Sequence, residues 1–153
     1  MPELSLQDLP QAGPLMGLDP GAKSLGIAVS DGLRMIATPI EIIARGKKLR
    51  PALARLFELY DERECVGLIV GLPLNLDGSA GPRVQATKAL VHNIRQERDI
   101  PIVFQDERLS SSEAERVMIA ADLTRARRAE TIDASAAAII LQTALDRLAN
   151  MTD

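Results

Sequence analysis

Apolar residues in the first third of the chain occur in three short runs, at 14–19, 25–30 and 35–43. The connections between these runs are too short to hold a crossover helix, so successive strands should pair in antiparallel fashion. We therefore predict a three-stranded meander. Residues 1–13 contain two prolines and show no sustained periodicity, which predicts a flexible N-terminal extension.

The pattern changes after residue 45, where helical spacing of apolar residues alternates with continuous apolar runs. It predicts helices over 47–63, from Pro82, from Ser110 and over 133–149, with strands at 65–73 and 101–108. Each of the two later strands contains a continuous apolar run, as expected for parallel strands that are buried on both faces. The fold class is therefore α/β: a mixed five-stranded sheet, with three antiparallel and then two parallel strands, covered by helices in a single domain over 14–150.

Composition narrows the classes of function. The chain has 153 residues, 46% of them hydrophobic but only 2% aromatic, and a net charge of -3. This composition disfavours an aromatic platform for stacking bases and any global attraction to nucleic acid. Two local basic clusters, at 45–50 and 125–128, could still contact a polyanion, although solvated helix surfaces are the alternative. A single cysteine and the lack of long apolar runs predict a cytoplasmic protein.

Carboxylates stand at the ends of predicted elements. Asp19 ends the first apolar run, Asp106 and Glu107 end the last strand, and Asp133 opens the last helix. If these ends converge on one edge of the sheet, the carboxylates cannot all stay ionised without a compensating cation. Oxygen ligands in an open cluster suit Mg²⁺ or Mn²⁺, ions that assist phosphodiester hydrolysis.

Each acid also has an ordinary structural explanation. An Asp before Pro-Gly, such as Asp19, is often a turn residue. The acids of "DER" can be a solvated strand end, and Asp133 can be an acid that is favoured at a helix N-terminus. Only the placement of all three at element ends favours a common site.

Three further residues are candidates for substrate binding. Lys23 lies between two glycines that could let the backbone approach a phosphate, or could serve only a tight hairpin. Asn75 and Arg83 belong to a long loop, 71–84, and loops of that length in compact domains are often functional. Ordinary surface solvation explains them almost as well.

Four blocks of the sequence resemble a known family. In order, "GLDPGAKSLGIAVSD", "VGLPLNLDG", "DERLSSSEAE" and "IDASAAAIILQ" are similar to the YqgF-type family of pre-16S rRNA nucleases and Holliday-junction-resolvase-like proteins. The resemblance covers about residues 15–148. It implies a ribonuclease-H-like fold and a metal-dependent nuclease that matures the 5′ end of 16S rRNA, with a pre-ribosomal particle as partner.

The resemblance also implies roles for individual residues. Asp19, Glu107 and Asp133 would be catalytic and hold Mg²⁺ or Mn²⁺, with Asp106 as the alternative to Glu107. The phosphates of the RNA would be contacted by Lys23, Asn75, Arg83, Arg125, Arg127 and Arg128.

Other functions stay open at this point. The same chemistry could act on four-way DNA junctions, which would favour a homodimer over a monomer. The chain could instead bind nucleic acid as a ribosome-assembly factor with little catalysis. An actin-like ATPase is disfavoured because its nucleotide is enclosed between two domains.

Overall fold

The computed structural model describes residues 4–73, 77, 79–107 and 132–151, with side chains from 136 onward in the last range. The strands are β1 (Leu15–Pro20), β2 (Ser24–Ser30), β3 (Ala37–Ala44), β4 (Gly67–Leu72) and β5 (Ile102–Asp106). The helices are α1 (Arg50–Glu62), α2 (Pro82–Glu97) and α3 (Ile132–Met151). The helix predicted from Ser110 lies outside the described residues.

The five strands form one sheet in the order β3-β2-β1-β4-β5. Strand β1 pairs antiparallel with β2, and β2 pairs antiparallel with β3. On the other side β1 is parallel to β4, and β4 is parallel to β5. The predicted mixed sheet is confirmed. Because β1, β4 and β5 are parallel neighbours, their carboxyl ends meet at one edge, which we call the carboxyl edge.

The sheet has a hydrophobic core on each face. Met16 and Leu18 of β1 pack with the apolar stripes of α1 and α2, whereas Leu15 packs with α3. Alternation of side chains along a strand separates the two cores. Aliphatic residues dominate both, as the scarcity of aromatic residues requires.

Helix α3 lies unusually close to β1. A Cβ atom added to Gly17 would stand 2.8 Å from Leu141 Cβ and 2.9 Å from the Ala137 carbonyl oxygen. Glycine is therefore required here by the proximity of the helix backbone. The last turns of α3 lie beside Leu6 and Leu9, at the edge where β1 begins. Helix α3 thus runs against β1 and starts on the side of the carboxyl edge.

The N-terminal segment differs from the flexible extension expected. Of residues 1–13, the structure describes 4–13, which include a short 3-10 helix, Leu6–Asp8. Leu6 and Leu9 are buried in the α3 core, because both are large aliphatic side chains that the prolines nearby obscured in the sequence pattern. The Arg34 guanidinium donates hydrogen bonds to the carbonyl oxygens of Pro10 (2.6 Å) and Gly13 (2.8 Å), which holds the segment on the sheet.

Cys65, which the sequence predicted to be a small buried hydrophobe, is buried two residues before β4. Burial raises the pKa of its thiol to about 11. The thiolate, which is the reactive form, is therefore disfavoured at neutral pH. Across the described ranges, no helix is long and apolar enough to cross a membrane.

Candidate active site

Asp19 is the last but one residue of β1 and is partly buried at the carboxyl edge. It follows Leu15 and Gly17 at intervals of two residues, so it belongs to the face of the sheet that α3 covers. Its partner across the antiparallel pair is Gly26. The Asp-Pro-Gly stretch therefore does form the hairpin that its turn residues suggest, and it also places a carboxylate at the end of a buried strand.

Glu107 immediately follows β5 and lies on the same face as Asp19. Gln105, two residues earlier, is fully buried and donates a hydrogen bond to the Ile140 carbonyl oxygen of α3 at 3.4 Å. Asp106 alternates to the opposite face, with Phe104, which packs on the α1 and α2 core. The geometry thus brings Glu107 to Asp19 and turns Asp106 away from the α3 face.

Gly71 of β4 provides the space that Glu107 occupies between the two strands. A Cβ at this position would stand 2.9 Å from Glu107 Oε1 and 2.5 Å from Ile140 Cδ1. Strand β4, which lies between β1 and β5, therefore has no side chain at this position. As a result, the Glu107 side chain can lie across β4 toward Asp19.

The surroundings of the Glu107 carboxyl disfavour its ionised form and raise its pKa. Burial, the negative charge of Asp19 and a hydrogen bond with the Asp19 carboxyl raise the pKa of Glu107 to about 7, against a lowering effect of Arg83. Two carboxylates in contact in a partly buried site repel each other when both are ionised. A proton on Glu107 would relieve this repulsion.

This pKa predicts a specific pH dependence of stability. The ordinary pKa of a glutamate is 4.5, and it is about 7 in the folded chain. A carboxyl with a raised folded pKa contributes stability that is complete below the unfolded value and is lost as pH rises through the folded value. In EDTA, we expect the wild type to lose stability relative to Glu107→Gln between pH 4.5 and 7. A difference in melting temperature that is constant over this range would contradict the prediction.

Asp133, the third predicted acid, is the second residue of α3. It lies one helical turn before Ala137, whose carbonyl oxygen is next to Gly17. Its backbone therefore lies on the α3 face, on the side of the carboxyl edge. Its side chain is outside the described residues. Among the described side chains, no group of three Asp, Glu, His or Cys residues is placed to hold a metal ion.

The basic residues predicted to contact substrate have different outcomes. Arg83, in the first turn of α2, has its Nη2 3.4 Å from the Pro20 carbonyl oxygen and acts electrostatically on Glu107. Lys23 is exposed in the hairpin between β1 and β2. Both therefore lie at the carboxyl edge. The remaining predicted contacts lie outside the described residues: Asn75, Arg125, Arg127 and Arg128.

Sequence reasoning missed Gln105 and the role of Gly71. Arg147 of α3 donates a hydrogen bond to Gln105 Oε1 at 2.8 Å, so Gln105 fixes β5 to α3 two residues before Glu107. A glutamine inside an apolar run was a usable signal, because a buried amide requires partners. Gly71 carried no comparable signal, since its role depends on a neighbour 36 positions later in the chain.

Comparison with known proteins identifies the family of this chain. A model of the RuvX family, described as "Holliday junction resolvase", matches residues 13–147. The chain belongs to the RuvX family. The resemblance inferred from the four sequence blocks is thereby confirmed.

Curated relatives of this RuvX family member are close in sequence. A Rhodobacter capsulatus protein is 52% identical over 143 residues, which cover 94% of this chain and 89% of the relative. A Paracoccus denitrificans protein is 49% identical over 146 residues, covering 95% and 92%. Both bear the name "Putative pre-16S rRNA nuclease". These matches extend over nearly the whole length of each relative.

Solved structures share the fold of this RuvX family member. Thermus thermophilus RuvC, in complex with a Holliday junction substrate, superposes with a TM-score of 0.58 at 14% identity, covering 92% of this chain and 96% of RuvC. A second structure of the same RuvC has a TM-score of 0.56 at 15% identity, covering 89% and 96%. At this level of identity the likeness concerns the fold, and it agrees with the ribonuclease-H-like architecture expected from the sequence.

Proposed function

We propose that this chain is a divalent-metal-dependent endonuclease that hydrolyses RNA phosphodiester bonds and matures the 5′ end of pre-16S rRNA in the cytoplasm. The observation that carries the proposal is the contact between Asp19 and Glu107 at the carboxyl edge. The names of relatives about 50% identical supply the substrate class. Precursor 16S rRNA or the pre-ribosomal particle is then the partner.

The carboxylate pair fits a divalent cation. Carboxylate oxygens are the ligands that Mg²⁺ and Mn²⁺ prefer. The raised pKa of Glu107 reflects a negative charge that a bound cation would compensate in place of the proton. Asp19 and Glu107 would hold the ion, with Asp133 as the third ligand. When bound, the ion supplies electrostatic stabilisation of the phosphate that is being cleaved.

The protein's own groups prepare the substrate. Arg83 lies at the carboxyl edge and acts electrostatically on Glu107. It would orient a phosphate. Its single positive charge does not neutralise both Asp19 and Glu107. Lys23, on the hairpin between β1 and β2, would contact the RNA strand where it leaves the site. Asn75 and the arginines Arg125, Arg127 and Arg128 would extend this contact. Since the chain carries a net charge of -3, such local cations must provide the attraction to RNA.

A second candidate function is cleavage of four-way DNA junctions. It is favoured by the description of the family as Holliday junction resolvase. The two functions share the carboxylate pair and differ in substrate. Symmetric cleavage of a junction requires two sites, so this function also requires a homodimer.

The test compares the two substrates directly. Metal-free protein is incubated with precursor RNA containing the 5′ end of 16S rRNA and, separately, with a four-way DNA junction, with Mn²⁺ or with EDTA. We expect manganese-dependent cutting of the RNA and no cutting in EDTA. Cutting of the junction alone would establish the second function. If the protein binds the RNA in Mn²⁺ but cuts neither substrate, the pre-ribosomal particle is tested next, and binding without cutting there too would indicate an assembly factor.

A further inference from the structure

A small cleft lies beside the end of β1, on the side of the sheet where α2 packs. Its volume is about 100 Å³, and it is lined by Pro20, Gly21, Ala22, Arg45, Arg83, Ala86, Thr87 and Leu90. Pockets for small molecules are usually about 300–1,000 Å³. The cleft therefore suits a single phosphate group and is too small for a nucleoside.

Two arginines line this cleft. Arg45 Nη1 donates a hydrogen bond to the Gly21 carbonyl oxygen at 2.6 Å, and Arg83 Nη2 lies 3.4 Å from the Pro20 carbonyl oxygen. Each guanidinium has five N–H donors, so one bond to a carbonyl leaves capacity for a phosphate. Arg83 also acts electrostatically on Glu107, whereas Arg55 is occupied by ion pairs with Glu41 and Glu58.

The backbone holds Arg45 in this position. Its amide donates a hydrogen bond to the Lys23 carbonyl oxygen at 2.8 Å, which joins the end of β3 to the hairpin after Asp19. The residues that follow leave the sheet at the same edge, with Lys47 and Lys48 exposed. Residues 45–48 of the basic run therefore lie at the carboxyl edge, whereas Arg50 begins α1 and forms an ion pair with Glu97 at the end of α2.

We infer that Arg45 and Arg83 together hold one phosphate group of the RNA, next to the phosphate that is cleaved. The RNA strand then continues over Lys47 and Lys48. The inference rests on the proposed function for the identity of the strand. Paired guanidinium groups favour phosphate because of their planar donor geometry. Arg83 lines this cleft and acts electrostatically on Glu107, so one side chain would connect the adjacent phosphate with the carboxylate pair.

The test measures binding of a short labelled single-stranded RNA without cleavage, using the Asp19→Asn protein as background. We expect Arg45→Gln to weaken binding roughly fivefold at about 50 mM salt and about twofold at about 200 mM, since one phosphate contact to a single strand accounts for a slope of about 0.7 in log K against log[salt]. Arg45→Lys should retain the salt slope while losing part of the affinity. Lys47→Gln combined with Lys48→Gln should lower the slope further.

Arg63→Gln is the matched control, because Arg63 is exposed at the opposite edge of the sheet, after α1. It should leave affinity and slope unchanged. Equal effects of Arg45→Gln and Arg63→Gln would overturn the inference, as would weaker binding without a change in slope, which indicates a structural effect on the hairpin. The proposed function fails separately, if the wild type does not cut RNA while its binding still depends on Arg45.

Discussion

The Asp19→Asn variant should lose cleavage by about a hundredfold or more, the scale of effect found when one electrostatic stabiliser of a transition state is removed. Asparagine has nearly the same shape as aspartate, so packing at the end of β1 should be preserved. The lost property is the charge that, with Glu107, would hold the cation. Rates of RNA cutting in Mn²⁺, measured at equal protein concentration, check this expectation.

The same substitution should not destabilise the metal-free protein. Asp19 raises the pKa of Glu107 by its negative charge and its hydrogen bond, so its neutralisation relieves a repulsion at neutral pH. The melting temperature of Asp19→Asn in EDTA should equal or exceed that of the wild type. Lower activity with unchanged or higher stability distinguishes a functional carboxylate from a structural one.

Asp106→Asn is the matched control for this experiment. Asp106 is adjacent to Glu107 in the chain but lies on the other face of the sheet by strand alternation. Its cleavage rate should stay within a few fold of the wild type. If Asp106→Asn abolishes cleavage while Asp19→Asn does not, the assignment of the site to the α3 face is wrong.

The sheet could be predicted from the sequence because its signals are local. Short connections forced antiparallel pairing of β1, β2 and β3, and helical spacing between the apolar runs indicated crossover connections before β4 and β5. The packing of the N-terminal segment on the sheet could not be predicted in this way. Leu6 and Leu9 are isolated apolar residues in a segment without periodicity, and their burial depends on the distant α3.

The candidate site could be predicted only as a set of residue types. The sequence placed acids at the ends of β1 and β5, but it could not decide between Asp106 and Glu107, because the register of β5 relative to the cores was unknown. The geometry around Glu107 depends on Gly71 and Gln105, which are identified by contacts between different elements. Such contacts leave no periodic pattern in the chain.

Among Gly→Ala substitutions in the sheet, Gly17→Ala should lower the free energy of unfolding the most. The new Cβ would stand 2.8 Å from Leu141 Cβ and 2.9 Å from the Ala137 carbonyl oxygen. Both atoms belong to or adjoin the backbone of α3, so the helix must move as a unit. Overpacking of this kind costs about 3 kcal/mol. In a chain of this length, that corresponds to a decrease in melting temperature of roughly 10 °C.

Two other glycines make the comparison decisive. Gly71→Ala meets the ends of flexible side chains, Ile140 Cδ1 and Glu107 Oε1, so it should destabilise less but displace Glu107 and reduce cleavage strongly. Gly32→Ala meets nothing within 4 Å and should alter neither property by much. Urea unfolding and RNA cutting are measured for all three variants. If the free energies of unfolding of Gly17→Ala and Gly32→Ala agree within about 1 kcal/mol, α3 does not pack this closely on β1. The placement of Asp133 beside the carboxyl edge would then lose its support.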